Sequence, residues 1–170
     1  NMRKIIILLC ALCFAVKGMC QPHHGFSVKQ VEPTFKNIDY AGDGLEGHLM
    51  DIYLPSDVKG KHKVIIAIYG SAWFANNMKS AAFFSIGKPL IDSGFAVVCI
   101  NHRSSGDAKF PAQIHDVKAA IRHLRANAGK YGLDTSFIGV TGFSSGGHLA
   151  SLAGVTNGIK TRTVGNTTVD

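Results

Sequence analysis

The sequence has almost no cysteine outside its first twenty residues, and it has no low-complexity segment. Three of the four cysteines, Cys10, Cys13 and Cys20, fall in that N-terminal stretch, which leaves Cys99 in a strongly apolar run. One remaining thiol excludes a disulfide scaffold, so an apolar core must stabilise the fold. With 170 residues, 46% of them hydrophobic and 17% charged, the composition fits one globular domain.

Clustered positive charge is also lacking, although the formal net charge is +7. The 18 lysines and arginines are scattered, and no aromatic residues alternate with them. This distribution argues against a nucleic-acid-binding protein. No set of His, Cys, Asp or Glu residues has metal-ligand spacing, and no phosphate-binding loop occurs, so we expect neither a metal nor a cofactor.

The N-terminal residues have the order of a secretory signal peptide. A short basic start and an apolar run together occupy residues 2–16, and Gly18 and Cys20 are small residues at a cleavage position. We predict a signal peptide over residues 1–20 and a secreted or periplasmic domain over residues 21–170. The apolar run is too short for a stable membrane span. Acylation of Cys20, as in a lipoprotein, is the alternative.

Apolar runs of strand length alternate with helical patterns along the rest of the chain. Continuous β-branched runs are typical of strands that are buried on both faces. The alternation predicts an α/β fold with a mostly parallel sheet flanked by helices, and a site at the carboxyl ends of the strands. The predicted strands are residues 36–40, 48–54, 64–69, 95–101 and 137–141, and the predicted helices are residues 79–92, 111–128 and 147–153.

The most informative motif is Gly142-Phe143-Ser144-Ser145-Gly146, between a predicted strand and a predicted helix. In that context G-x-S-x-G predicts a nucleophile elbow, with Ser144 exposed at the tip of a sharp turn. Gly142 and Gly146 allow the backbone to pack around the strained turn. The start of the next helix directs free N–H groups at an oxyanion beside Ser144. A glycine- and serine-rich loop is the alternative, because the bare pattern is common.

A second glycine-bearing turn, Tyr69-Gly70-Ser71-Ala72-Trp73, closes a predicted buried strand. In acyl transfer the carbonyl oxygen becomes an oxyanion, which two fixed donors stabilise as charge develops. The backbone N–H groups of Ser71 and Ser145 are the predicted donors. The alternative is a plain strand-to-helix turn in which Trp73 is a packing residue.

Together these motifs resemble the α/β-hydrolase superfamily, and within it the bifunctional feruloyl and acetyl-xylan esterases and related carboxylesterases. The resemblance implies ester hydrolysis through a Ser-His-Asp triad, with Ser144 as the nucleophile. It also implies an acetyl- or feruloyl-type ester as substrate, either a small molecule or one linked to plant polysaccharide. The resembling segments, in the order and spacing of the family, are residues 48–55, 69–73, 101–103, 110–120, 130–134 and 142–150.

Two features depart from the family pattern. Tyr69-Gly70-Ser71 stands where the family commonly has His-Gly-Gly, so we expect an altered pocket wall, and an intact oxyanion hole because backbone N–H groups form it. In the family an acid and then a histidine follow the nucleophile, whereas His148 and Asp170 are the only such residues after Ser144 here. We therefore expect the triad acid and base beyond residue 170, with this sequence as the N-terminal part of a hydrolase that stops after the nucleophile helix.

We do not expect any histidine within this sequence to serve as the triad base. His148 lies one turn along the helix from Ser144 and cannot readily reach its hydroxyl, so we expect it to be structural or to line the pocket. Asp107 and Asp116 are expected to pair with Arg103. Polar surface or capping roles are expected for the other three candidates, His102, His115 and His123.

Three functional classes follow from these observations. The first is a secreted serine esterase that forms an acyl-enzyme on Ser144. The second is a non-catalytic remnant or binding module that keeps the same fold. The third is an amidase or peptidase on the same scaffold, because acyl transfer to serine serves both esters and amides.

Overall fold

The structure, a computed structural model, describes residues 31–56, 59–156, 161–164 and 167–169. The described residues from Glu32 onward form one compact unit. The predicted signal peptide over residues 1–20, its alternative acylation site at Cys20 and the predicted domain start at residue 21 lie outside the described residues and stay predictions.

Five strands form the sheet at the centre of the fold: β1 (Phe35–Asp39), β2 (Leu49–Tyr53), β3 (His62–Ile68), β4 (Ala96–Ile100) and β5 (Leu133–Gly142). Their order across the sheet is β1-β2-β4-β3-β5. Strand β2 pairs antiparallel with both β1 and β4, whereas β3 pairs parallel with β4 and with β5. Four strands therefore share one direction and β2 alone opposes them, which confirms the predicted mostly parallel sheet.

Helices connect the strands much as predicted. The predicted helix over residues 79–92 is one helical run with a π-helical turn (Phe83–Gly87) in its middle. The helices are α1 (Lys79–Ala82), α2 (Lys88–Asp92), α3 (Ala112–Ala126), α4 (Ala128–Tyr131) and α5 (Ser145–Val155), and a single 3₁₀ turn covers Glu46–His48. In the described part of the chain, no helix is long and apolar enough to cross a membrane.

A two-stranded antiparallel sheet, β6 (Thr161–Val164) with β7 (Thr167–Val169), follows α5. This hairpin was not predicted, since the expectation was a fold that stops after the nucleophile helix. The sequence carried a signal for it, because Gly165-Asn166 separates two short runs rich in threonine and valine. Such a two-residue pair between β-branched runs is typical of a tight hairpin.

Apolar residues cover both faces of the central strands. Alternate residues of β3, Val64 and Ile66, pack with Val98 of β4 in the main buried cluster, which includes residues of α3 and α5. On the opposite face the ring of Phe83 stacks on that of Tyr53, with centroids 3.9 Å apart. Every residue of β4 is buried, as its continuous apolar run predicts. Helices thus flank the sheet on both sides.

The register of β3 and β5 brings their carboxyl ends together. Ile68 is the partner of Gly142, and the Phe143 N–H donates to the Ile68 carbonyl oxygen at 3.2 Å. The turn after β3 and the turn after β5 therefore start side by side. This is the edge of the sheet at which α/β folds place their ligands.

Candidate active site

Ser144 lies at the tip of a sharp turn between β5 and α5. Its backbone has φ 52° and ψ −121°, which places a non-glycine residue at a positive φ. Such conformations are uncommon and cost roughly 1–3 kcal/mol, and they persist where the surroundings enforce them. The residue is exposed. The geometry is that of an exposed hydroxyl held on a strained elbow.

Gly142 and Gly146 enforce this turn because no side chain fits at either position. A Cβ atom on Gly142 would overlap the backbone of Gly146, and one on Gly146 would overlap the carbonyl oxygens of Ile68 and Tyr69. Both clashes are with backbone, which has no rotamer that could relieve them. The two glycines of the motif therefore lie where close backbone approach requires them.

The turn after β3 lies directly against Ser144. A Cβ atom on Gly70 would stand 2.8 Å from Ser144 Cβ and 2.6 Å from the Phe143 carbonyl oxygen. Contacts that short are not seen for real Cβ atoms, so glycine is required here as well. The two turns from which oxyanion donors were predicted are therefore in direct contact.

The two predicted oxyanion donors lie in different environments. Ser145 begins α5, where a backbone N–H has no carbonyl of the same helix to bind. The Ser71 N–H instead donates to Ser145 Oγ at 3.0 Å. The prediction that this N–H is an oxyanion donor is therefore wrong for this arrangement, because the N–H is already engaged. Ser145 is only 3% exposed, whereas Ser71 is half-buried, so this hydrogen bond between the turns is partly buried.

The residues after Ser71 are strained in a way that the sequence did not reveal. Ala72 and Trp73 both have positive φ, 48° and 63°. The turn is closed by the Phe74 N–H, which donates to the Ser71 carbonyl oxygen at 2.9 Å. Alanine and tryptophan give no sequence signal for a left-handed backbone, because glycine and asparagine are the usual occupants.

A cavity of about 400 Å³ opens beside this turn. His148 lines it and is exposed, with its ring edge-on to that of Trp73 at a centroid distance of 5.4 Å. This position fits the expected pocket-lining role of His148. Two other aromatic side chains, Phe74 and Phe110, are 81% and 68% exposed. The cavity is lined by Ala72, Trp73, Phe74, Ser105, Phe110, Gln113, His148 and Leu149.

Tyr69 does not contribute to the wall of that cavity. Its ring is buried and stacks on His102, with centroids 4.8 Å apart, and its hydroxyl donates to the Ala75 carbonyl oxygen at 3.0 Å. The expectation that the turn over residues 69–71 alters the pocket wall is wrong for this cavity, because none of the three residues lines it and the Tyr69 ring points into the protein interior.

His102 is fully buried, so the expected surface or capping role is wrong for this residue. Its Nδ1 lies 2.9 Å from the Arg103 carbonyl oxygen, and burial lowers the pKa of the imidazole. His123 instead contacts the Tyr131 hydroxyl, at 3.2 Å. Among the residues that the structure describes, no histidine is hydrogen-bonded to Ser144.

Asp116, which is buried, forms an ion pair with the partly buried Arg103, as predicted. The Arg103 side chain contacts Asp116 Oδ1 at 2.6 Å, and His48 Nε2 lies 3.2 Å from the same oxygen. Burial opposes ionisation of Asp116, but hydrogen bonds from His48 and Arg103 outweigh it and hold the pKa of the carboxyl below its usual range. The prediction for Asp107 is wrong: this acid binds the Ser104 N–H at 2.8 Å and not Arg103.

The sequence profile of the BD-FAE family matches residues 50–168, which is more than half of the chain. The chain belongs to the BD-FAE family. It is similar to a solved bifunctional GH43-CE from Bacteroides eggerthii, at 71% identity and a TM-score of 0.74, over 80% of this chain and 19% of that one. A truncated carbohydrate esterase from gut microbiota gives 64% identity and a TM-score of 0.74, over 80% and 48% of the two chains. Esterase LipQ of Mycobacterium tuberculosis is 34% identical over 134 residues, 78% of this chain and 30% of LipQ.

Membership of BD-FAE confirms the resemblance and the α/β-hydrolase fold that the motifs predicted. The matched proteins are esterases, including carbohydrate and carboxylic esterases. The chain spans less than half the length of each of the three proteins compared above.

Proposed function

We propose that this chain carries the nucleophile of a serine carboxylesterase, with an acyl-enzyme formed on Ser144. The contact between two turns supports the proposal best: Ser144, at a strained positive φ, lies directly against Gly70. A serine held in this way beside backbone N–H groups is what acyl transfer requires. Membership of a family of esterases points the same way.

The reaction would proceed in two steps. Ser144 Oγ adds to the ester carbonyl carbon while its proton passes to a general base, and the carbonyl oxygen becomes an oxyanion. The Ser145 N–H and the turn that begins at Ser71 supply the fixed dipoles that stabilise this charge. Collapse of the intermediate expels the alcohol and leaves the acyl group on Ser144, from which water releases it. We expect the acid and the base to be groups outside the described residues.

For the substrate we propose an acetyl- or feruloyl-type ester, carried by a plant polysaccharide or a small alcohol. The cavity of about 400 Å³ beside Trp73 supports this class, because exposed aromatic faces suit an aromatic acyl group or a sugar ring. Gln113 and Ser105 also line this cavity, but their side chains are hydrogen-bonded to backbone carbonyl oxygens, so the aromatic residues dominate its surface. The similarity to a carbohydrate esterase from gut microbiota also supports a sugar-linked ester as the substrate.

We also propose that the protein is exported. The support lies in the sequence of residues 1–20, which has the order of a signal peptide. N-terminal sequencing of the protein from its native source is expected to find Gln21 first. An acylated Cys20 at the N-terminus would make the protein a lipoprotein, and an intact N-terminal stretch would contradict export by cleavage.

A substrate panel tests the proposed activity. We expect turnover of acetylated xylan or methyl ferulate, and much slower turnover of an amide with the same acyl group. The Ser144→Ala variant is expected to lose this activity, while the Ser151→Ala variant, altered on the same helix, keeps it. Faster turnover of the amide would favour an amidase. Equal residual rates for wild type and Ser144→Ala on every substrate would favour a binding module.

A further inference from the structure

The side chain of Ser145 joins the two turns of the candidate site. Ser145 lies next to the proposed nucleophile, while Ser71 lies 74 residues earlier, after β3. The Ser71 N–H donates to Ser145 Oγ at 3.0 Å, and Ser145 is 3% exposed. Since Ser145 is a buried residue, its hydroxyl is expected to have a partner within the protein, and the Ser71 N–H is that partner.

Every polar group of Ser71 is engaged. Besides the N–H bound by Ser145, the carbonyl oxygen accepts from the Phe74 N–H at 2.9 Å, and the hydroxyl oxygen accepts from the Ala75 N–H at 3.3 Å. Ser71 is therefore fixed from three directions. Its N–H is not open to a ligand in this arrangement.

The next two residues need such support because their backbones are strained. Ala72 and Trp73 hold φ of 48° and 63°, and strained pairs persist only where neighbours over-determine them. At the far end of the turn, the Ser105 N–H and hydroxyl both donate to the Trp73 carbonyl oxygen, at 2.7 and 3.2 Å. Ser145 therefore fixes the backbone just before Ala72 and Trp73, through Ser71, and Ser105 fixes the backbone at Trp73.

The backbone N–H of Ala72 lies between the residues that Ser145 and Ser105 fix, and it is a candidate donor for a ligand. Ala72 is exposed and lines the cavity beside α5. Within the residues described, its N–H makes no hydrogen bond. Successive N–H groups in a turn of this kind form a concave site that attracts an anion.

We propose that the Ser145 hydroxyl is a positioning group for the oxyanion hole. By accepting the Ser71 N–H it locks the 71–73 turn against the nucleophile turn, and it leaves the N–H groups of Ala72 and Ser145 to the carbonyl oxygen. Ser145 then has two roles. Its backbone N–H donates to the oxyanion, and its hydroxyl holds in place the turn that carries the second donor, the Ala72 N–H. This inference rests on the proposed esterase function.

The test compares Ser145→Ala, Ser145→Cys and Ser151→Ala in the protein as its native gene encodes it. Since an oxyanion donor acts mainly in the transition state, Ser145→Ala is expected to lower kcat about tenfold with KM within twofold, less than the 10²- to 10³-fold cost of losing a donor outright. Ser145→Cys keeps a weaker acceptor and is expected to fall between. Ser151→Ala, which removes an exposed hydroxyl bound to the Gly147 carbonyl oxygen, is the matched control with unchanged kcat.

The hydrogen bond from the Ser71 N–H to Ser145 Oγ can also be tested independently of activity, by measuring hydrogen exchange of the Ser71 amide with NMR. We expect this exchange to be at least tenfold faster in Ser145→Ala than in wild type. A kcat of Ser145→Ala within twofold of wild type, or a raised KM with unchanged kcat, overturns the inference while leaving the esterase intact. A wild-type protein that turns over no ester overturns the proposed function itself, and the inference with it.

Discussion

Gly70 lies so close to Ser144 that a single added carbon would stand 2.8 Å from the Ser144 Cβ. The same carbon would stand 2.6 Å from the Phe143 carbonyl oxygen, which is backbone and cannot turn aside. The backbone of Gly70 therefore lies against both the backbone of Phe143 and the side chain of Ser144. The strained backbone of Ser144 can lie this close to the preceding turn only because position 70 has no side chain.

Gly70→Ala is expected to lower ester turnover about 100-fold. The added methyl must push the nucleophile turn aside, and a displacement near 1 Å at a reacting group costs about that factor. Gly129→Ala is the control, because a Cβ there meets nothing within 4 Å, and its activity should match wild type. Turnover by Gly70→Ala within threefold of wild type would contradict the close contact.

Ser144→Gly is expected to unfold at a higher urea concentration than Ser144→Ala, although both variants lose activity. The positive φ costs an L-residue roughly 1–3 kcal/mol. Glycine removes that strain at an entropic cost of roughly 0.5–1 kcal/mol. The free energy of unfolding should therefore differ by about 1 kcal/mol in favour of glycine. Equal stabilities would mean that the elbow is not strained.

Asp116→Asn is expected to lower the free energy of unfolding by about 3 kcal/mol, because it leaves the Arg103 and His48 side chains without their buried carboxylate. Asp107→Asn is the matched control: this acid is exposed, and its loss should cost about 1 kcal/mol or less. Urea denaturation of wild type and the two variants measures both losses in unfolding free energy. Similar losses in the two would show that the Asp116 network does not support the fold.

Stability should depend on pH through His48. Its hydrogen bond to Asp116 outweighs burial and raises the pKa of the imidazole above 6.5. Folding thus favours protonated His48, so this stabilisation is complete below pH 6.5 and is lost as pH rises through the higher folded-state pKa. Asp116, whose pKa is lowered from 3.8, contributes above that pH and loses its contribution as pH falls through its folded-state value.

The comparison that isolates His48 is wild type against His48→Gln, in urea, at about pH 5.5 and again at about pH 8.5. The difference in unfolding free energy is expected to be larger at the lower pH. A difference that grows from the lower to the higher pH would reverse the sign derived from the Asp116 contact.

The strands and the elbow were predictable because their signals are local. Continuous β-branched runs identify β3 and β4, and the glycine spacing identifies the turn at Ser144 before any contact is known. The pairing of Arg103 with Asp116 was predicted, but so was one with Asp107. Only the folded position of α3, which brings Asp116 into contact with Arg103, separates the two pairings.

Features that depend on distant neighbours could not be predicted. The Ser71–Ser145 hydrogen bond joins residues 74 positions apart, and no local pattern encodes it. His102 follows a strand and looks like a surface histidine until the Tyr69 ring is found stacked on it. The positive φ of Ala72 had no signal, because its residue type does not favour that conformation.

The most direct test of the account is the site of reaction with a fluorophosphonate probe, located by peptide mass spectrometry on the protein from its native source. The account predicts modification of Ser144 in the wild type and none in Ser144→Ala, with Ser151→Ala labelled like the wild type. Modification at another serine, or no modification of a correctly folded wild-type protein, would contradict the assignment of Ser144 as the nucleophile.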